Sequence, residues 1–180
     1  MMMSDDQKHR AGALFGEMRI ELHTHYAAGI WNGRPGTGTK KKLIGVPPFF
    51  ALVSRIHNDA LTGNLAAGFV LSALEERLIS AGNAFQQWQH ELGMMIAGLP
   101  VNIIISDVVS AQPLNVAVHC LNPLGYRFAC LLAEFDQLAL RILQAYHNGL
   151  ISMKEKKARL HYCSHQIRRI FAVVLQYHPE

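Results

Sequence analysis

The chain has 180 residues, of which 50% are hydrophobic, and a formal net charge of +4 with a pI of about 9.1. This composition excludes a disordered chain and suffices for one buried core, so we expect a single domain or a core domain with appendages. No apolar stretch reaches the ~18–20 residues of a membrane span, and the start MMMSDDQKHR lacks the apolar core of a signal peptide. We therefore expect a cytoplasmic protein without a membrane partner.

The charge is distributed unevenly along the chain. Residues 1–62 carry eight Lys or Arg against five Asp or Glu, residues 63–150 carry three against six, and residues 151–180 carry six against two. Both ends are therefore basic, which predicts a surface for a polyanion if the ends meet in the folded chain. The alternative is solubility charge scattered over a globular surface.

The first structured stretch has the pattern of a strand. Residues 1–11 are mostly polar, and residues 1–17 are expected to form a flexible tail. From Met18 to His25 the side chains alternate, with Arg19, Glu21 and His23 on one face and apolar residues mostly on the other. This alternation is typical of a half-buried strand. The alternative is a helix, because Leu14 and Met18, and Leu22, Tyr26 and Ile30, also recur at helical spacing. We predict a strand over residues 18–25, followed by a helical turn that ends near residue 32.

A Gly-rich loop over residues 32–39 contains Arg34 and leads into the segment KKKLIGV. Its three lysines, Lys40, Lys41 and Lys42, begin a stretch that can form a β-strand. The Gly-x-Gly before the lysines lacks the spacing of a Walker phosphate loop. We therefore interpret the segment as a basic strand and not as a nucleotide site.

Two helices are predicted next. The Pro-Pro pair at 47–48 suits the first turn of a helix, and Gly63 followed by Asn64 predicts the end of that helix and the cap of another. The second helix, over residues 64–97, carries apolar side chains spaced alternately four and three apart, which is a heptad seam. The seam comprises Ala67, Leu71, Leu74, Leu78, Ala81, Phe85, Trp88, Leu92 and Met95.

A helix of this length, ~50 Å at ~1.5 Å per residue, needs a long partner to cover its apolar seam. We favour a second copy of the chain. The expected dimer interface comprises Leu71, Leu74, Leu78, Phe85 and Trp88. The alternative is that helices of the same chain cover the seam.

The remainder of the chain predicts a hairpin and two helices. Residues 101–109 and 114–121 are rich in residues that favour strands and are separated by SAQP, which indicates an antiparallel hairpin. One helix is expected over residues 125–148. The last helix, about 153–177, begins with a capping box of Ser152 and Glu155.

The sequence contains no recognised catalytic motif, so we expect no enzyme, no cofactor and no small-molecule substrate. His161 and His165 share a helix face, but Cys163 points away from them, so no metal site is expected. The three cysteines are expected to be reduced and mostly buried. Helix carboxylates such as Asp136 are expected to be solvated.

The basic segments favour a nucleic-acid-binding protein. A two-stranded ribbon fits the major groove of DNA, and two equivalent strands require the dimer that the seam also suggests. Lysines contact phosphates more often than bases. The expected DNA-binding residues are Arg19, His23, Arg34, Lys40, Lys41, Lys42, Lys156, Lys157 and Arg159.

Three segments resemble the AcaB-like family of integrating conjugative elements and conjugative plasmids: IELHTHYAAGIWNGR, IGVPPFFALVSRI and LNPLGYRFACLLAEFDQLALRILQAYHNGLI. The resemblance implies a ribbon-helix-helix relationship and a dimeric, sequence-specific DNA-binding regulator of transfer genes, expected to be an activator. In ribbon-helix-helix proteins, base-reading side chains alternate on the strand before the first helix. Here Lys40 to Ile44 occupy those positions without alternating up to the proline, so Arg19 to His23 form a rival ribbon.

The expected fold is therefore α+β and mostly α. It combines a ribbon-helix-helix-like dimeric core with a long heptad-patterned helix, a β-hairpin and two C-terminal helices. Residues 18–100 are expected to bind DNA and dimerise, and residues 101–180 to pack on them. The competing function is a non-catalytic accessory protein of a conjugation system whose basic ends bind an acidic protein.

Overall fold

The computed structural model describes residues 17–120 and 122–179. They form five helices and one two-stranded antiparallel sheet, which confirms the α+β, mostly α class. The elements are β1 (Met18–Leu22), α1 (His25–Asn32), α2 (Val46–Leu61), α3 (Leu65–Ala97), β2 (Leu114–Val118), α4 (Pro123–His147) and α5 (Met153–Leu175). The predicted tail falls, except for Glu17, outside the described residues. No helix in the described ranges is long and apolar enough to cross a membrane.

Helices α3 and α5 begin at the caps that the sequence predicts. The side-chain oxygen of Asn64 accepts from the N–H of Ala67, and that of Ser152 accepts from the N–H of Glu155, each at 3.1 Å. Each bond satisfies one of the N–H groups that a helix leaves unpaired in its first turn. Short side chains at the caps therefore determine where both helices start.

The long helix α3 packs against α2, α4 and α5 of its own chain. Leu74, Leu78 and Phe85 are buried in that core, and Leu71 and Trp88 pack partly buried against it. The expectation of a dimer interface on the heptad seam is therefore wrong. The seam is covered by helices of the same chain, which is the alternative that the sequence left open. A heptad pattern shows that one helix face is covered, but the pattern is the same whichever chain covers it.

An aromatic cluster fixes the last helix against the first half of the chain. The ring centroid of Phe49 on α2 lies 4.5 Å from that of Phe128 on α4 and 4.8 Å from that of Phe171 on α5. All three side chains are buried. Such ring contacts add stabilisation beyond the apolar area that they bury, so α5 is held in a defined position beside α2.

The sheet joins distant parts of the chain. β1 pairs with β2 in antiparallel register, with Met18 opposite Val118 and Leu22 opposite Leu114. The predicted strand at Met18 is confirmed, whereas the predicted hairpin of residues 101–109 with 114–121 is wrong. β1 therefore has its partner within the chain, and the described residues do not show the ribbon of two copies that the family resemblance implies.

Residues 101–109 lie outside the sheet although their composition favours a strand. The Gln144 side chain donates to the Ser106 carbonyl at 2.8 Å, and the Ser110 N–H donates to Nδ1 of His23 at 3.1 Å. The side chain of Ile104 remains 91% exposed. Side-chain contacts from α4 and from His23, the residue after β1, therefore replace the hydrogen bonds of the predicted hairpin, because strand propensity depends strongly on context.

A buried carboxylate holds the corner between β1 and α1. Asp136 of α4 accepts hydrogen bonds from the backbone N–H groups of His23 and Thr24 and from the Thr24 hydroxyl, each at 2.8 Å. The side chain is fully buried, so the expectation of a solvated carboxylate was wrong. A carboxylate with three donors is well satisfied in the core and joins α4 to the first strand.

Candidate nucleic-acid interface

The three lysines lie on a loop. Residues 33–45, which we call the basic loop, connect α1 to α2, and Arg34 and Leu43 pair in an isolated antiparallel bridge with N–O distances of 2.8 and 3.0 Å. At the tip, the Thr37 N–H donates to the Lys40 carbonyl at 2.8 Å, and the Thr37 hydroxyl accepts from the Lys40 N–H at 3.0 Å. The prediction of a strand and of a basic β-ribbon at KKKLIGV is therefore wrong.

Glycines allow both ends of the basic loop to lie against α1. Gly33 and Gly45 have φ values of +70° and +83°, which side chains disfavour. A Cβ atom on Gly45 would lie 2.9 Å from the carbonyl oxygen of Trp31. Substitution at either position would therefore strain the backbone, and the two glycines fix where the lysines are presented. A strand would need neither positive φ value.

The basic loop and α5 line one groove of about 730 Å³, which we call the basic groove. Its basic side chains are Arg34, Lys40, Lys41, Lys42, His165, Arg168 and Arg169. Apolar atoms of Leu43, Ile44 and Phe171 also line it. Phe171 belongs to the buried aromatic cluster, so the packing of the core sets the position of this wall. The two basic ends of the sequence thus meet in the fold.

Within residues 17–120 and 122–179, the cations of the basic groove are not neutralised by acidic side chains. Among the described residues, no salt bridge involves any of them. The side chain of Arg34 donates to the Lys41 carbonyl at 3.3 Å, which tightens the loop without removing charge. Clustered cations in a concave surface create a positive potential that attracts polyanions. The groove therefore has the electrostatic character of a phosphate-binding surface.

Sequence reasoning missed three of the groove residues as DNA contacts: His165, Arg168 and Arg169. The signal was present, because residues three and four apart share a helix face. His165 and Arg168 continue a face that begins at His161, whose ring stacks with that of His165 at a centroid distance of 6.4 Å. What the sequence could not show is that this face lies opposite the basic loop.

Two of the three predicted contacts near the start of α5 have partners within the chain. The Lys156 ammonium lies 4.2 Å from the centroid of the Tyr146 ring. The Arg159 guanidinium lies 5.4 Å from the centroid of the Trp88 ring, and its Nη1 atom lies 3.8 Å from Glu91. Cation–π contacts of this kind stabilise helix packing. Both side chains are therefore positioned as structural residues.

Lys157 differs from its neighbours. It lines a smaller cavity of about 270 Å³ together with His161 and Arg168, and Arg168 also lines the basic groove. The basic surface therefore continues from the groove along one face of α5 to Lys157. Of the three predicted contacts at the start of α5, the structure brings this one alone to the groove side.

The remaining predicted contacts, Arg19 and His23, do not line the basic groove. Arg19 on β1 pairs with Glu17 at 2.8 Å and hydrogen-bonds to the Asn115 side chain on β2. His23 accepts from Ser110 and lies 3.8 Å from Glu21. Their hydrogen bonds hold β1 to β2 and to the segment before β2, so we do not retain Arg19 and His23 as nucleic-acid contacts.

The described residues contain no cluster of three or more His, Cys, Asp or Glu that could hold a metal ion. Cys163 is buried, and burial raises the pKa of its thiol to about 12. Such a thiol stays protonated at neutral pH and is a poor nucleophile or metal ligand. Cys163 therefore acts as a core residue of α5.

A family model described as transcriptional regulator AcaB matches residues 10–180. The chain belongs to the AcaB family of transcriptional regulators. A crystal structure of selenomethionine-containing AcaB from uropathogenic E. coli is similar in fold, with a TM-score of 0.62 and 11% identity over 88% of this chain and 76% of that chain. No curated protein matches the chain significantly. Membership of the AcaB family confirms the resemblance and indicates a role in transcription regulation rather than catalysis.

Proposed function

We propose that this AcaB-family protein regulates transcription by binding a specific double-stranded DNA sequence through the basic groove. The observation that carries the proposal is that six lysine and arginine side chains from two separate elements line one groove. No salt bridge among the described residues neutralises them. Neutralising phosphates releases counterions, and this release provides much of the affinity of DNA-binding proteins.

The two walls of the groove would have different roles. The basic loop presents exposed lysines, whose point charges suit backbone phosphates. The α5 wall presents Arg168 and Arg169, and arginine is the side chain that most often reads guanine through its O6 and N7 acceptors. An α-helix fits the major groove, so we assign base recognition to α5 and positioning to the basic loop. Recognition by a loop and a helix replaces the strand ribbon that the sequence suggested.

We further propose that the protein acts as a homodimer and activates genes of conjugative transfer. The resemblance to regulators encoded by conjugative elements supports the choice of genes. A dimer would place two basic grooves on two half-sites of an operator, the arrangement that many bacterial regulators use. A transcriptional reporter for the bound promoter tests activation. Expression should rise when the protein is supplied and should stay at its basal level with a variant in which Arg168 and Arg169 are both changed to Ala.

The proposal is tested by recovering genomic DNA fragments with the purified protein and sequencing them. We expect the fragments to share a common sequence motif, and band-shift affinity for that motif to fall when Arg168 and Arg169 are both changed to Ala. The matched control is Lys156→Ala, which removes a cation from the same helix but outside the groove.

Two results would contradict the proposal. If the recovered fragments share no motif and binding disappears near ~200 mM salt, the affinity is non-specific and the accessory protein with an acidic partner becomes the better function. If specific binding is unaffected by the Arg168→Ala and Arg169→Ala changes, the protein reads DNA with another surface.

A further inference from the structure

Two histidines of α5 lie within the basic surface of the molecule. His165 lines the basic groove, and His161, one turn earlier, lines the smaller cavity together with Lys157 and Arg168. Both histidines are exposed, and their rings are nearly parallel, with an angle of 11° between the planes and centroids 6.4 Å apart. Because residues four apart on a helix share a face, one ligand on that face can contact both imidazoles.

The groups around the two histidines are cationic or neutral. Tyr26 of α1 lines the cavity of His161, and the His25 ring stacks on the Tyr26 ring with centroids 4.2 Å apart. Among the described residues, no Asp or Glu lines either cavity. The charged groups that line the two cavities come from the basic loop and from α5: Arg34, Lys40, Lys41, Lys42, Lys157, Arg168 and Arg169.

This environment makes the charge of the two imidazoles depend on DNA. Imidazole is the side chain whose ordinary protonation falls between pH ~5 and ~8. Nearby cations disfavour its charged form, whereas nearby phosphates favour it. DNA in the basic groove would bring phosphates to a surface where these rings have cations for neighbours. Protonation and DNA binding would therefore favour each other, so DNA affinity would be highest at low pH and would fall as the pH rises.

We propose that His161 and His165 contact DNA phosphates as imidazolium ions and make the DNA affinity of the protein depend on pH. Their role rests on the proposed function, because it requires DNA in the basic groove. Each imidazolium N–H would donate a charge-assisted hydrogen bond to a phosphate oxygen. Phosphate contacts carry no sequence information, so a rise in pH should weaken specific and non-specific DNA by the same factor.

The first test is the affinity for the recovered DNA motif at about pH 6 and about pH 8, at one salt concentration, by fluorescence anisotropy. We expect the original protein to bind about tenfold or more weakly at the higher pH. The double variant His161→Gln, His165→Gln keeps polar side chains that do not titrate, and its affinity should change less than about threefold. Both side chains are exposed, so its circular dichroism should equal that of the original protein at both pH values.

Two further variants complete this test. His90→Gln is the matched control, because it removes an exposed imidazole of α3 that lines neither cavity, and it should retain the full pH dependence. The double variant His161→Lys, His165→Lys carries permanent point charges that suit phosphates. At about pH 8 it should bind within about threefold of the affinity that the original protein has at about pH 6.

The salt dependence of binding distinguishes a phosphate contact from an indirect effect of pH. If both imidazolium ions neutralise phosphates, the slope of log K against log salt should be steeper at about pH 6 than at about pH 8, by about 0.9 for each histidine. The Gln double variant should have one slope at both pH values. A pH-dependent affinity with an unchanged slope would overturn the phosphate contacts.

Failure of this inference differs from failure of the proposed function. Specific DNA binding with the same affinity at both pH values overturns the role of the histidines and leaves DNA recognition by the basic groove standing. A pH dependence that persists in the Gln double variant overturns the assignment to His161 and His165. Recovered fragments without a common motif overturn the proposed function at either pH. Loss of pH dependence in the Gln double variant, with motif recognition retained, supports both.

Discussion

Two faces of α5 carry similar charge but differ in what surrounds it. On one face, Lys156 and Arg159 lie over the rings of Tyr146 and Trp88. On the other, Arg168 and Arg169 face the lysines of the basic loop across an open groove. A cation that already has a partner stabilises the fold, whereas a cluster of unneutralised cations is available to a ligand. The count of basic residues in a helix therefore does not identify its binding face.

The largest effect should come from reversing charge on the groove face. Arg168→Glu with Arg169→Glu should lower affinity for the specific DNA about 100-fold or more, which is about 3 kcal/mol, because it removes two cations and adds two repelled charges. The melting temperature should change little, since both side chains are only partly buried. Fluorescence anisotropy at fixed salt measures the affinity.

The matched control for that reversal is Lys156→Glu. It also places an acid on α5, but on the face without a groove. If it weakened DNA binding as much as the double reversal, the distinction between the two faces would fail.

The basic loop should give the next largest effect. Changing Lys40 and Lys42 to Ala should weaken specific binding about 30-fold and reduce the salt dependence of log K by about 0.9 for each phosphate that the loop no longer neutralises. Because lysines on a loop serve positioning, non-specific DNA should be weakened by the same factor. A titration over several salt concentrations checks both values. An unchanged salt slope would remove the loop from the interface.

Substitutions on the α5 face whose cations lie over aromatic rings should change the stability of the protein rather than its affinity for DNA. Arg159→Ala should lower the free energy of unfolding by about 1 kcal/mol, because it removes the guanidinium from the Trp88 ring and the packing of the aliphatic stem. DNA affinity should remain within about threefold of the original value. Urea denaturation followed by circular dichroism measures the change in stability. A variant that is as stable as the original protein but binds DNA weakly would contradict the structural role of Arg159.

The smallest effects separate two neighbouring lysines. Lys156→Ala should cost about 0.5 kcal/mol of stability, because it removes the ammonium from the Tyr146 ring, and should leave the salt slope of DNA binding unchanged. Lys157→Ala should leave stability unchanged and lower the slope by about 0.9 if the groove surface extends to it. If both variants changed stability and the salt slope of DNA binding by the same amounts, Lys156 and Lys157 would not have the different roles assigned to them.

Local signals in the sequence predicted much of the helical structure. Asn64 and Ser152 cap helices because their side chains bond backbone groups three residues away, and such short-range chemistry is visible in the sequence. The heptad seam correctly identified the covered face of α3. It could not identify the covering chain, because α4 and a second copy would leave the same pattern on residues such as Leu78.

Long-range partners explain the errors. Residues 114–118 pair with β1 and not with the β-rich stretch nearest to them, because pairing partners depend on packing that propensity does not encode. For the same reason, the sequence predicted the loop wall of the basic groove but not the α5 wall. Lys40, Lys41 and Lys42 were identified by charge, but Arg168 joins them only because aromatic packing of α5 on α2 brings the two ends of the chain together.

The central proposal, that DNA lies in the basic groove, is tested most directly by lysine acetylation of the protein with and without its specific DNA, read by mass spectrometry. We expect DNA to protect Lys40, Lys41 and Lys42 strongly and to leave the acetylation of Lys154 and Lys156 unchanged. Protection of Lys154 and Lys156 with full acetylation of the three loop lysines would contradict it.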